Sequence, residues 1–123
     1  MARTRQPPPP MDELKDQLDP RSVLREGDAA MKAGDIPRAL ASYERAGEMY
    51  EVLDLRLKAL SVWKTMLELA SERLDIRLRL GEGYAALGLK EQASAELQVV
   101  LAIAMARGEL AHAGRARIAL ATL

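Results

Sequence analysis

Few side chains in this sequence have the types and spacing that catalysis needs. His112 is the only histidine, and no cysteine or second histidine stands near it to complete a metal site. The serines lack the sharp-turn context of a catalytic nucleophile. Gly81, Gly83 and Gly88 suggest a phosphate loop by composition, but the first two fall inside a helical pattern, where close packing explains them better. We therefore expect a non-enzymatic protein with no metal or cofactor; an enzyme of unrecognised type is the third-ranked alternative.

Charge and composition argue against nucleic-acid binding and membrane insertion. The 18 basic and 18 acidic residues cancel, so the chain has no overall field that would steer it to nucleic acid or an anionic membrane. Arginines cluster near 73–79, but acidic residues interleave with them and no aromatic side chain is placed to stack on bases. No stretch approaches the roughly 18 apolar residues of a membrane span. Without a cysteine or a signal peptide, a cytoplasmic location is expected.

The apolar residues predict an all-α domain. They are mainly leucine and alanine with some methionine, and phenylalanine is absent. Such residues favour helices, whereas strands prefer β-branched and aromatic residues. We expect residues 1–18, with their four consecutive prolines, to form a flexible tail and residues 19–123 to form the domain. The prolines suit a spacer, although docking on an aromatic groove of a partner is an alternative.

Capping residues divide the domain into six helices. Asp19 and Asp35 are placed to cap the first two, because an aspartate side chain accepts hydrogen bonds from the free N–H groups of a first turn. Asp54 and Ser71 are predicted to open the third and fourth. The six helices are predicted at about 20–33, 36–52, 55–70, 72–87, 90–107 and 110–122. The connecting turns are so short that neighbouring helices must run antiparallel.

A period of 34 residues relates two parts of the domain. The matched positions are Gly47 with Gly81, Tyr50 with Tyr84, Ala59 with Ala93, Trp63 with Leu97, Met66 with Val100, Leu67 with Leu101 and Ala70 with Ala104. Small residues recur where two helices must touch closely, and large ones recur where a gap must be filled. The two segments are therefore predicted to be copies of one structural unit.

These positions resemble the tetratricopeptide repeat family, whose unit is a helix hairpin of 34 residues. The clearest copy is LRLGEGYAALGLKEQASAELQVVL, and weaker copies are centred on Gly47 and Gly27. The likeness extends from residue 21 to about residue 107. It implies antiparallel helix hairpins stacked as a short right-handed α-solenoid, an architecture that usually binds proteins.

The second predicted helix carries both halves of the hairpin pattern. Ala39, Tyr43 and Ala46 mark it as the back helix of one hairpin, whereas Gly47 and Tyr50 mark it as the front helix of the next. Ala39 and Gly47 are only 8 residues apart, about 14 fewer than in the family. We interpret this helix as two helices fused into one that serves both roles. A chance likeness, due to composition, is the alternative.

The resemblance also implies a concave binding groove. The groove positions carried onto this sequence are Asp28, Met31, Glu44, Glu48, Glu51, Asp75, Leu78 and Glu82. Most are acidic, so we expect a negative groove that holds a basic or amphipathic peptide or helix of a partner; an ordinary solvated face is the alternative. The predicted function is therefore that of a protein-binding adaptor or scaffold.

The last predicted helix favours a second function. Repeat arrays usually end with a helix that is polar on its outer face. Here the segment ELAHAGRARIALATL has several apolar residues and no acidic residue after Glu109. Ile118, Leu120 and Leu123 are therefore candidates for a contact surface. The alternative function is that of a structural subunit of a larger complex or homo-oligomer, which associates through this helix.

Overall fold

Seven helices make up most of residues 7–123, the part of the chain that this computed structural model describes. They are α1 (Met11–Asp16), α2 (Pro20–Lys32), α3 (Ile36–Val52), α4 (Arg56–Leu69), α5 (Leu74–Ala86), α6 (Lys90–Arg107) and α7 (Leu110–Ala121). Since residues 7–123 contain no strand, the predicted all-α class is confirmed. Residues 1–6 of the predicted tail lie outside the described residues. Helix α1 lies within that tail, and none of its residues is buried.

Two predicted caps hold the first turns of α2 and α3. The carboxylate of Asp19 accepts a hydrogen bond from the backbone N–H of Ser22 at 3.2 Å. Asp35 accepts one from the backbone N–H of Arg38, also at 3.2 Å. Each bond satisfies an N–H group that has no partner within its helix.

The prediction that Asp54 and Ser71 open helices is wrong. Helices α4 and α5 begin a little later, at Arg56 and Leu74, and neither has a side-chain cap. Asp54 closes the turn before α4 instead, with a φ of 59° in the left-handed region. Glycines take this role at other turns of the chain.

Packing follows the chain from α2 to α7. Each of these helices packs against the next, and α5 also packs against α7. Arg79 of α5 forms an ion pair with Glu48 of α3, so α3, α5 and α7 lie side by side. Helix α2 lies near α4 instead. Its Asp28 lines a small cavity of about 200 Å³ together with Ser61 and Thr65 of α4.

Three glycines allow helices to approach closely. Each faces a large side chain that lies 16 residues later in the sequence. The pairs are Gly27 with Tyr43, Gly47 with Trp63, and Gly81 with Leu97. A Cβ atom added to any of the three would lie 2.4–2.8 Å from the facing side chain. The same packing device therefore recurs in three helix pairs.

Helix α3 takes part in two of these three contacts. Its Tyr43 fills the space beside Gly27 of α2, and its own Gly47 leaves space for Trp63 of α4. Helix α3 thus makes a close glycine contact with both α2 and α4. Its interpretation as two repeat helices fused into one stays a hypothesis, with a chance likeness as the alternative.

Two larger clusters make up most of the core. Trp63 and Met66 lie at the centre of the first, which joins α2 to α5. Leu97 and Val100 belong to the second, which joins α5, α6 and α7. Because α5 contributes to both clusters, it connects the two halves of the domain.

Tyr43 gives the fold a predictable response to alkali. Burial raises the pKa of Tyr43 to about 12, and its hydroxyl also donates a 2.6 Å hydrogen bond to Asp28. In the unfolded chain tyrosine loses its proton near a pH of about 10. Between these two values the folded state binds more protons than the unfolded state, so stability falls as the pH rises.

We therefore expect the free energy of unfolding to fall more steeply with pH in this window for the wild type than for Tyr43→Phe. Urea unfolding, followed by circular dichroism at several alkaline pH values, measures both slopes. Lysine and arginine titrations are common to the two proteins and cancel in the comparison. Equal slopes would contradict this assignment.

Candidate functional site

Helices α3, α5 and α7 form one continuous surface, which we call the three-helix surface. Three arginine–glutamate ion pairs cross it between adjacent helices. They join Arg73 to Glu44 at 3.4 Å, Arg79 to Glu48 at 3.4 Å, and Arg115 to Glu82. Because each pair connects two helices, the charged side chains hold the surface together as well as facing the solvent.

A cleft of about 470 Å³ opens on this surface, and we call it the Trp63 cleft. Its floor consists of Ala59, Leu60, Trp63 and Gly83, and its rim consists of Glu51, Asp54, Arg56, Arg79, Glu82 and Arg115. The volume falls within the range of ordinary ligand pockets. The site thus combines an apolar floor with a charged rim.

Neighbouring side chains fix the ring of Trp63 from two directions. Its indole N–H donates a hydrogen bond to Glu51 Oε1 at 3.1 Å. The guanidinium of Arg79 lies over the ring, 5.1 Å from its centroid, at a distance typical of a cation–π contact. The ring is therefore held in one orientation at the base of the cleft.

Gly83 allows close packing at the floor of the cleft. A Cβ atom added there would lie 2.4 Å from Leu60 Cδ2, so α4 and α5 approach more closely than a side chain would allow. The glycine is needed for packing, as the sequence suggested. This contact explains Gly83 without any role in phosphate binding.

The rim carries charges that the helix-crossing ion pairs do not neutralise. Among the described residues, Glu51, Asp54 and Arg56 form no ion pair. Glu51 accepts a hydrogen bond from the indole of Trp63, which brings no positive charge with it. Two carboxylates and one guanidinium thus remain available, a local excess of one negative charge.

Asp54 places its carboxylate on the rim at a conformational cost. Its φ of 59° makes it the only residue other than glycine with a positive φ in the described part of the chain. Three comparable turns use Gly34, Gly88 and Gly108 at φ values of 76°, 76° and 72°. Left-handed backbone costs an ordinary side chain free energy that glycine avoids. Such outliers often mark functional positions.

Asp75 lies on the same surface, but its carboxylate is already bound by an arginine of the same chain. Arg73 donates two hydrogen bonds to its carboxylate, at 2.9 and 2.8 Å. These bonds hold the pKa of Asp75 below its usual value, and Arg73 also reaches Glu44. Asp75 therefore stays ionised as part of a local network.

The structure brings together five of the eight predicted groove residues. Glu44, Glu48, Glu51, Asp75 and Glu82 lie on or beside the three-helix surface. Each accepts a hydrogen bond or forms an ion pair with a side chain of this chain: Trp63 of α4 for Glu51, and an arginine for the other four. Three arginines outside the predicted set pair with these carboxylates and offset most of the negative charge expected of the groove.

The other three groove residues lie elsewhere. Leu78 is 0% exposed and belongs to the second core cluster, so the prediction that it lines the groove is wrong. Asp28 lies near α4 and accepts a hydrogen bond from the Tyr43 hydroxyl. Met31 packs against the first core cluster. Neither residue of α2 therefore lines the Trp63 cleft.

The C-terminal candidates differ in exposure. Ile118 is 69% exposed. Leu120 and Leu123 are half-buried and pack against the second core cluster. Of the three, only Ile118 therefore presents most of its side chain to the solvent.

Residues 7–123 contain neither a cluster of metal-ligating side chains nor a membrane-spanning helix. They contain no group of three histidine, cysteine or acidic side chains placed to hold a metal ion. The ring Nδ1 of His112 lies 3.1 Å from Glu109 Oε2 in the next turn. Among residues 7–123, no helix combines the length and the apolar character needed to cross a bilayer.

No protein-family model, curated protein or solved structure matches this chain. The likeness to tetratricopeptide repeats therefore depends on the sequence positions given above.

Proposed function

We propose that this chain is a non-enzymatic adaptor whose three-helix surface binds a segment of a partner protein. The Trp63 cleft is the observation on which the proposal depends. It offers an apolar floor and fixed polar groups on a rigid helical frame, which together suit the recognition of a side chain. The proposal includes a tetratricopeptide-like right-handed solenoid and a cytoplasmic location, both inferred from the sequence.

The chemistry of the cleft favours a lysine or arginine of the partner. The aliphatic stem of such a side chain would lie in the cleft above the nearly buried Leu60 and Trp63, and its charged end would reach Glu51 and Asp54. These two carboxylates have no ion-pair partner of their own among residues 7–123. The flanking arginine–glutamate pairs would contact polar groups on either side of the inserted residue. The partner segment is therefore basic or amphipathic.

A peptide array tests this specificity. Each peptide carries lysine, glutamine or glutamate at one position of an otherwise identical sequence. We expect binding to require lysine, and Glu51→Gln to weaken it by about tenfold, because one partly desolvated charge pair is lost. The amide oxygen of glutamine can still accept the indole hydrogen bond, so the fold should be unaffected. Glu91→Gln, outside the cleft on α6, is the matched control and should bind like the wild type.

Asp54→Gly separates binding from stability. Glycine relieves the left-handed backbone, so the free energy of unfolding should rise by up to about 1 kcal/mol. The same variant should bind lysine peptides more weakly, because a rim carboxylate is lost. Preference for the glutamate peptides, or unchanged binding by both Glu51→Gln and Asp54→Gly, would refute the proposed role of the cleft.

A second candidate function comes from α7. The exposure of Ile118 favours a structural role, in which the chain is a subunit of a larger complex or homo-oligomer. Ile118 lies next to Glu82 and Arg115 of the Trp63 cleft, so this contact surface adjoins the three-helix surface.

A further inference from the structure

Helix α7 presents an apolar face that no described residue covers. Leu110 is 77% exposed and Ile118 is 69% exposed. Gly114 lies midway between them on the same side of the helix, since residues four apart share a face. A Cβ atom added to Gly114 would meet nothing within 4 Å, unlike one added to Gly27, Gly47 or Gly81. This α7 face is therefore an uncovered apolar strip with an open position at its centre.

Helix α1 is the second uncovered amphipathic element. Met11 and Leu14 fall on one side of it, and Leu18 follows just beyond its end. Met11 and Leu14 are both exposed, and no residue of α1 is buried. None of the three belongs to a core cluster or packs against one. The chain therefore carries two unpaired apolar strips.

The two helices carry opposite net charge. Helix α1 has three acidic residues and one basic residue, Lys15, which gives −2. Helix α7 has Arg115 and Arg117 and no acidic residue; Arg115 is paired with Glu82, so Arg117 carries the free positive charge of the helix. Arg117 donates a hydrogen bond to the Met105 sulfur at 3.2 Å. Because a thioether sulfur is a weak, uncharged acceptor, the positive charge of Arg117 stays uncompensated. The two strips are thus complementary in charge as well as apolar.

The two helices of one chain cannot reach each other. Residues 17–19 connect α1 to α2 and span at most about 10 Å. Helix α2 is separated from α7 by α3 and α5, and each helix-to-helix step is about 8–10 Å. A contact between α1 and α7 therefore requires two molecules.

We propose that the α7 face, formed by Leu110, Gly114 and Ile118, binds the acidic helix α1 of a second copy of this chain. Each molecule then offers one α1 and one α7 face, so the contact joins unlike surfaces. A reciprocal exchange of α1 between two molecules gives a two-fold dimer, whereas a one-way contact gives rings or open chains. The contact lies outside the Trp63 cleft, and the proposed function does not depend on it.

A charge exchange in the full-length protein tests the pairing by sedimentation velocity over a series of concentrations. One variant carries Asp12→Lys and Asp16→Lys, and the other carries Arg117→Glu. We expect the wild type to associate as its concentration rises, and each variant alone to associate about tenfold more weakly. Combining all three changes in one chain should restore association, because every contact then joins a reversed α1 to a reversed α7.

The combined variant also controls for a loss of helix α1 in the first variant, since an unfolded α1 would not be restored by a charge change on α7. Ile118→Glu should abolish association, whereas Leu57→Glu, a change at an equally exposed position on α4, should not. A wild type that stays monomeric at every concentration would overturn the proposal. So would a combined variant that fails to regain association, or an effect of Arg117→Glu without any effect of the α1 changes; the last result would indicate contact between two α7 helices.

Discussion

Trp63→Ala is expected to lower the free energy of unfolding by about 3–5 kcal/mol, the usual cost of removing a buried tryptophan. Trp63 is 1% exposed and lies in the first core cluster with Met66 and Ile76. Its ring also fills the space beside Gly47, so truncation opens a void between α3 and α4. Because small domains have a total stability of about 5–15 kcal/mol, this variant should be near its unfolding midpoint under mild conditions.

Urea unfolding, followed by helical circular dichroism, measures the loss. Leu57→Ala is the control on the same helix, because Leu57 is exposed and its truncation should change stability by no more than about 0.5 kcal/mol. If the two variants unfold at the same urea concentration, Trp63 does not hold α3 against α4 and the proposed cleft has no rigid floor.

Gly47→Ala is expected to destabilise the fold although alanine is the better helix former. The added Cβ would lie 2.4, 2.5 and 2.9 Å from three carbons of the Trp63 ring. The ring cannot easily move aside, since it is buried and is held by Glu51 and Arg79. Overpacking of this kind costs about 1–3 kcal/mol, more than the gain in helix propensity of up to about 1 kcal/mol.

Gly114→Ala provides the matched control. It also places alanine inside a helix, but its Cβ would meet nothing within 4 Å. Only the higher helix propensity of alanine then affects stability. The free energy of unfolding should therefore rise by about 0.5–1 kcal/mol under conditions where the protein is monomeric. Changes of opposite sign in thermal melts would support the close contact of Gly47 with Trp63. A stabilising effect of Gly47→Ala would contradict it.

Local residue chemistry was sufficient to predict most of the fold. Asp19 and Asp35 cap their helices, and Gly88 and Gly108 end theirs, because each effect depends on a few neighbouring residues. The turn at Asp54 was misassigned as a helix cap. An aspartate can cap a helix or adopt a positive φ, and the sequence does not distinguish the two roles.

The candidate site was predicted only in part, because its charges depend on long-range packing. The acidic members of the surface were found from repeat positions, but their partners Arg73, Arg79 and Arg115 lie about 30 residues away in the sequence. Leu78 was expected to line the groove, yet α6 and α7 bury it in the second core cluster. Repeat positions give the direction of a side chain relative to its own hairpin. They do not give the position of the next helix in the array.

The central claim is that the Trp63 cleft receives a basic side chain of a partner, and the indole N–H resonance of Trp63 tests it most directly. The protein has one tryptophan, so this signal is unique, and its hydrogen bond to Glu51 makes it sensitive to a cation on the rim. During titration with an array-selected lysine peptide, we expect the indole resonance to shift with the same dissociation constant as binding itself. The glutamine version of the peptide should leave it in place. Binding of the lysine peptide with no movement of the indole resonance would place the contact elsewhere and contradict the proposed site.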